Sequence, residues 1–247
     1  MKLVVQEAPA LKAAIDSIVS LVEEGIFEVK EDGMHLKAMD PSQISMVSFT
    51  MPKSAFVEYN VPEPRKLGID ISQLSNVLAR GKRGEHVELS VEDGRLAIKF
   101  YADKKKRTFK IPLLEIGEGI SREPKIEYKS YAKINAEALK ETLKDAKLVS
   151  SHVKLILEPS SFQVEVRGES GDVKGEFEVG GGEVSEIKTE AGVRATFPLQ
   201  YLEDMIKAAS AGSIVTISLE TDRPMKLHYD IEGANVTYFL APRIETD

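Results

Sequence analysis

The sequence predicts an α+β fold of two similar domains, and three observations carry that prediction. The first is an internal repeat. "LKAAIDS" from Leu11 returns as "LKETLKD" from Leu139, "ISQLSNVL" from Ile71 as "LQYLEDMI" from Leu199, and "VELS" from Val87 as "VTIS" from Val215, always at an offset of 128. The second is that each half divides again into a strand, a helix and three strands, so the plan occurs four times. The third is that most runs follow one another as hairpins, which predicts antiparallel sheets with helices packed on one side.

The elements follow in order. "KLVV" reads as a strand, and Pro9 opens a helix whose apolar stripe is Leu11, Ile15, Ile18 and Val22, with Gly25 as its stop. Strands are expected near 26–30, 34–39 and 44–51. "RKLGI" is the next strand, and a helix over 71–80 turns Leu74, Val77 and Leu78 inward before Gly81 ends it. Strands near 86–91, 95–101 and 107–113 close the first half. In the second half, "YAKI" leads to Asn135, a helix N-cap, and a helix over 136–147. Strands near 152–158, 161–166 and 172–179 come next, then "VRATF", a helix over 198–209 and strands near 214–219, 225–230 and 235–240. The expected division is a domain over 1–114, a connector over 115–127 and a second domain over 128–247. "GGGEVSEIKTEAG", 180–192, reads as a flexible loop.

Composition narrows the function. The chain has 247 residues, 42% hydrophobic and 30% charged, with no cysteine, which excludes disulfides, thiolate zinc sites and cysteine nucleophiles. No run is long enough to span a membrane, and the N-terminus lacks a basic start before a long apolar stretch, so no signal peptide and a cytoplasmic location are expected. His35, His86, His152 and His228 lie far apart without metal-ligand spacing, so no metal is expected. "GKRG" lacks the surroundings of a phosphate-binding loop, and "GGG" at 180–182 precedes no helix. Asp40 before Pro41 reads as a turn residue rather than a catalytic carboxylate. No catalytic constellation and no cofactor site are visible. The net charge of −7 argues against nucleic acid as a simple average, but an acidic average can hide one basic face.

Two local patterns stand out. In "LKAMDPSQISMVSF", Leu36 to Phe49, Val47 and Phe49 fall on one side of a strand, while Ile44 and Met46 fall on the other, where a half-buried strand would carry polar residues. Two strands read as sheet edges. "RTFKIPL", 107–113, contains Pro112, and "DVKGEFEV", 172–179, separates apolar Val173, Gly175, Phe177 and Val179 from Lys174, Glu176 and Glu178. One edge lies in each half, and pairing of unlike edges between copies can close a ring. The expected interface residues are Phe109, Ile111, Val173 and Phe177.

"LKAMDPSQISMVSF", "LSNVLARGKRG", "DRPMKLHY" and "YFLAPRIE" resemble the sliding clamps of DNA replication, the proliferating cell nuclear antigen family in its archaeal form, over the whole chain and in order. The resemblance implies the DNA-clamp fold in a homotrimeric ring, with helices lining the hole and sheets forming the outer wall. It implies a processivity factor that encircles duplex DNA without reading its sequence. Polymerase, ligase, flap nuclease and clamp loader would be held through a short peptide motif: glutamine, two spacers, an aliphatic, two spacers, two aromatics. No cofactor and no membrane are implied.

By this resemblance the DNA-facing residues are Lys12, Arg80, Lys82, Arg83, Lys140, Lys144, Lys147 and Lys207. Without it they read as ordinary solvated helix faces. Asp16 and Glu23 make the first helix less basic than the family leads one to expect. The basic run Lys104 to Arg107 reads as a solubilising hairpin tip. The implied peptide groove comprises Met39, Gln43, Ile44, Met46, Pro224, Phe239, Leu240, Ala241 and Pro242, with Ile120 and Pro124 from the connector. The plain alternative is that the connector covers Ile44 and Met46. Two functional alternatives stay open: a subunit of a heterotrimeric clamp, and a β-rich repeat enzyme with an unrecognised carboxylate site.

Overall fold

The computed structural model describes residues 1–115, 117, 123–168 and 171–243. The chain forms two compact units. One comprises Met1–Pro41, Val47–Arg122 and Asp230–Val236, the other Ser42–Met46, Glu123–Tyr229 and Thr237–Asp247.

In the first half the elements are β1 (Lys2–Val5), α1 (Ala8–Val19), β2 (Glu24–Val29), β3 (Gly33–Met39), β4 (Ser45–Pro52), β5 (Glu58–Asn60), β6 (Arg65–Asp70), α2 (Ile71–Leu78), β7 (His86–Glu92), β8 (Arg95–Ala102) and β9 (Lys105–Pro112). The second half contains β10 (Ser130–Asn135), α3 (Ala136–Lys147), β11 (His152–Leu157), β12 (Ser161–Gly168), β13 (Gly171–Glu178), β14 (Val184–Lys188), β15 (Val193–Pro198), α4 (Leu199–Ile206), β16 (Ile214–Leu219), β17 (Met225–Ile231) and β18 (Ala234–Leu240). The repeat is structural. α1 and α3 begin at residues 8 and 136 and end at 19 and 147, and α2 and α4 begin at 71 and 199 and end at 78 and 206.

In the first unit, one antiparallel sheet runs β5-β1-β7-β8-β9, with β9 at its edge, and a second runs β6-β2-β3. Leu3 from β1, Leu11 and Ile15 from α1, Phe27 from β2, Leu74 from α2 and Leu89 from β7 border one void of only about 10 Å³. That is scarcely room for one water, so the apolar stripes of both helices and both sheets meet in one packed core. α1 and α2 are also tied by the Ser75 hydroxyl, which donates to Asp16 at 2.8 Å.

In the second unit, the sheets are β13-β12-β11-β15, with β13 at its edge, and β14-β10-β16-β17. Asn135 caps α3 by accepting from the amides of Glu137 and Ala138 at 2.9 and 3.2 Å. Leu139, Leu143 and Ala146 then bury the face expected from their spacing. α4 has no side-chain cap at its N-terminus. Beyond its other end, the carbonyls of Lys207, at 3.3 Å, and Ala209 accept from the Lys140 ammonium on α3. Gly175 on β13 passes so near α3 that a Cβ there would lie 2.7 Å from the Thr142 methyl. Below α4, the buried Tyr229 hydroxyl donates to the Met205 carbonyl at 2.9 Å and lies 3.2 Å from that of Tyr238. Its removal from water pushes the phenol pKa up to about 12.

Three expectations are corrected. α1 stops at Val19, because the amides of Leu21 and Val22 both turn back onto the Ile18 carbonyl, so Val22 is buried after the helix rather than within it. Gly25 is not a helix stop but part of β2, where a Cβ would meet Leu36 at 2.7 Å. The 180–192 segment contains β14, antiparallel to β10 and fastened by the Lys133–Glu186 ion pair at 2.5 Å. β5, antiparallel to β1, was not expected at all.

Replacing Tyr229 by Phe leaves the Met205 carbonyl unpaired, so urea unfolding at fixed protein concentration is expected to show a loss of about 1–3 kcal/mol. An unchanged midpoint would contradict this. Lys140→Ala is expected to cost about 1 kcal/mol, while Lys144→Ala stays within about 0.5 kcal/mol. Equal effects of the two would remove the capping role of Lys140.

Candidate nucleic-acid and peptide interfaces

The sequence-predicted cations fall into two groups. In the second unit, Lys140, Lys144, Lys147 and Lys207 come together along one shallow cleft between α3 and α4, with Gln200, Glu203 and Asp204. They are less available than their spacing suggests. Lys140 is half-buried against the carbonyls beyond α4, and desolvation lowers its pKa from the ordinary lysine value. Lys144 pairs with Glu141 at 2.5 Å, and Lys147 with Glu203 at 2.7 Å. Lys207 is exposed. In the first unit, Lys12 pairs with Asp16 one turn along α1, while Arg80, Lys82 and Arg83 are exposed beyond the C-terminal end of α2. Three of these cations, Lys12, Lys144 and Lys147, are therefore already accompanied by carboxylates, an arrangement that favours weak and mobile contact with an anion.

Arg107, expected in a solubilising tip, has a different place. It pairs with the buried carboxylate of Glu85, donates to the Arg80 carbonyl at 3.1 Å and lies 5.2 Å over the Phe100 ring. Glu85 also accepts from the Lys82 amide at 2.9 Å. Edge strand β9 is thus fastened to the loop that carries Lys82 and Arg83. Nothing in the local sequence announces this pair, because its partners lie on different elements.

Around the expected peptide groove, the second unit brings Ile44 beside the C-terminal residues: the Ala241 amide donates to the Ile44 carbonyl at 2.9 Å. Ile44, Pro224, Ala241 and Pro242 are half-exposed, and Gln43, with a positive φ of 60°, and Pro124 are exposed. The Pro224 carbonyl accepts from Tyr128 at 2.9 Å. Met46 is not an outward residue, since it is 4% exposed. Ser45, Met46 and Val47 are all buried, and consecutive strand residues point to opposite faces, so both faces of β4 are covered there. Phe239 and Leu240 are buried too and can shape a groove only from beneath. Met39 is half-exposed on β3 in the first unit. Ile120 lies outside the described residues.

Both expected edges end their sheets. On β9, Phe109 is half-exposed and packs edge-on against Phe100 at 5.9 Å, while Ile111 is already buried. On β13, Val173 and Phe177 are half-exposed, and Phe177 stacks on Phe162 at 6.2 Å. The exposed charges differ in sign. β9 carries Lys105, Lys106 and Lys110, whereas β13 carries Asp172, Glu176 and Glu178 with the single Lys174. Among the described residues, no group of three or more His, Asp or Glu could hold a metal ion, and no helix is long and apolar enough to cross a membrane.

Comparison with known proteins accords with this architecture. Residues 1–117 match the family model described as proliferating cell nuclear antigen, N-terminal domain, and residues 122–244 match its C-terminal domain. The "DNA polymerase sliding clamp" of Methanococcus maripaludis is 35% identical over 241 residues, covering 95% of this chain and 96% of the relative. That of Pyrococcus furiosus is 30% identical over 246 residues, covering 99% and 98%. Among solved structures, PCNA from Thermococcus kodakaraensis superposes with a TM-score of 0.93 at 22% identity, covering 98% of this chain and 99% of that one, which shows the shared fold. The A. fulgidus PCNA bound to the C-terminal region of FEN-1 has a TM-score of 0.87 at 28% identity, covering 100% and 99%. With both halves matched, the chain belongs to the proliferating cell nuclear antigen family of sliding clamps.

Proposed function

We propose that this chain is a DNA polymerase processivity factor: a ring of three copies that encircles duplex DNA and tethers replication and repair enzymes. The family match across both halves carries this reading. Its relatives bear the name DNA polymerase sliding clamp. No catalytic step is assigned to it. It works where an archaeal-type chromosome is copied, in the cytoplasm.

Ring closure rests on the two edges. β9 of one copy adds to β13 of the next, and the contact is heterologous, so repetition closes the ring. Lysines on the first edge and carboxylates on the second supply cross-strand attraction. Both halves of that complementarity lie on one chain, which favours a homotrimer over a ring of unlike subunits. Phe109, Val173 and Phe177 supply the apolar contact, and Ile111 supports it from within the chain.

DNA contact is sequence-independent attraction to phosphates by Arg80, Lys82, Arg83, Lys144, Lys147 and Lys207. Lys12 and Lys140 contribute less, because both are half-buried as well as engaged within the chain, whereas the paired Lys144 and Lys147 stay exposed. Weak contacts suit a ring that must slide: an encircled duplex cannot diffuse away, so topology replaces affinity. Polymerase, ligase, flap nuclease and clamp loader dock through their short peptide motif on the surface offered by Gln43, Ile44, Pro224, Ala241 and Pro242, with Met39 and the connector. The FEN-1 segment bound to the A. fulgidus clamp supports a peptide-docking role.

Light scattering is expected to give about three times the 27.3 kDa of one chain. Glu176→Lys with Glu178→Lys is expected to shift that mass toward a single chain at moderate salt. A wild-type monomer at all concentrations would overturn the homotrimer. Ile44→Glu is expected to keep the trimer mass while weakening a motif-bearing peptide by more than about tenfold, since a charge would be placed on an apolar docking surface. Unchanged peptide affinity in a titration would remove Ile44 from the groove.

A further inference from the structure

One cleft of the second unit lies apart from the α3–α4 lysines and from the edge strands β9 and β13. It covers about 430 Å³ on the sheet β13-β12-β11-β15 and is lined by Lys154, Arg167, Arg194 and Arg243 against one carboxylate, that of Glu165. Register places these side chains on one face. Lys154 on β11 stands opposite Glu165 on β12 and Thr196 on β15, and Ile156 stands opposite Arg194. Arg167 follows Glu165 by two positions and so points the same way. The other face, with Leu155, Val164 and Ala195, is buried in the core. The concentration of cations is unusual for a chain of net charge −7.

Arg167, Arg194 and Arg243 are exposed, and they form no ion pair among the described residues. Glu165 has Lys174 at 3.9 Å and Lys154 opposite it, so it offsets little of their charge. Asp172 stands opposite Arg167 on the edge strand. Burial and the neighbouring Arg243 lower the pKa of His152 from its ordinary value, so at neutral pH the positive charge comes from lysine and arginine alone.

The cleft is continuous with the proposed groove. The Ala241 amide is bonded to Ile44, and two residues on, the Arg243 amide donates to the Thr196 carbonyl at 2.7 Å. Two extended residues span about 7 Å. A peptide lying on Ile44 and Ala241 therefore ends within reach of the guanidinium cluster. We infer that this cleft is a specificity subsite for an acidic segment flanking the docked motif, so that the clamp favours partners carrying aspartate or glutamate at one end of that motif. The inference rests on the groove assignment. Guanidinium forks match carboxylates bidentately and hold their charge at every working pH.

The test uses the full chain and three synthetic peptides with the same motif: one with neutral flanks, one with three aspartates before the motif and one with three after it. Titrations at low salt are expected to show one acidic peptide binding roughly tenfold tighter than the neutral one, the sum of several exposed pairs. The other acidic peptide should show no gain. Salt at several hundred millimolar should erase the difference. Arg167→Ala with Arg194→Ala should erase it while leaving neutral-peptide affinity unchanged. Equal binding of all three peptides, or a preference that survives the double variant, overturns the subsite. Tripolyphosphate binding the cleft without any flank preference overturns it as well, in favour of a small-anion site. Failure of every peptide to bind overturns the groove itself, and the subsite with it.

Discussion

Backbone amides and carbonyls at the margin of an open sheet have no partner within their own sheet, and the architecture turns on where these margins fall. The repeated halves solve the same folding problem twice, burying two helices against two sheets, yet each leaves one long strand at an edge: β9 in one unit and β13 in the other. The two strands carry opposite charge: Lys105, Lys106 and Lys110 on β9 against Asp172, Glu176 and Glu178 on β13. The repeat thus gives each unit the same helix-on-sheet core but a differently charged margin.

The second organising feature is how the cations are held. Clusters of lysine and arginine on helices invite tight binding to a polyanion, which would oppose movement along it. Here most of the helix cations have another engagement: Lys12 with Asp16, Lys140 with backbone carbonyls, Lys144 with Glu141 and Lys147 with Glu203. The acidic neighbours lower the local field without removing it. By contrast, Arg167, Arg194 and Arg243 on the exposed sheet face form no ion pair among the described residues.

Much of the fold was legible because its signals are local. Asn135 and the period of α3 marked both ends of that helix, and the offset of 128 revealed the two halves before any contact was known. The Lys12–Asp16 pair could be read from a spacing of four. What escaped depended on distant partners. The apolar stripe of α1 runs on to Val22, but the chain turns at Ile18, so periodicity overshot the helix. Met46 alternates as an outward residue should, yet the start of β4 is covered on both faces. β14 lies in a segment whose glycines and charges suggest a loop, and only pairing with β10 makes it a strand. The Glu85–Arg107 pair and the Lys140 contacts join elements far apart in sequence, and no local pattern encodes them.

The close approach of Gly175 to Thr142 links two surfaces that would otherwise be independent. α3 bears Lys144 and Lys147 on its outer side and grips β13 on its inner side, with no side chain at residue 175 to act as a spacer. A displacement of α3 at Thr142 is therefore passed by direct contact to the strand at the sheet margin. The helix that carries these lysines and the strand that ends the sheet share one tight contact, so neither shifts alone.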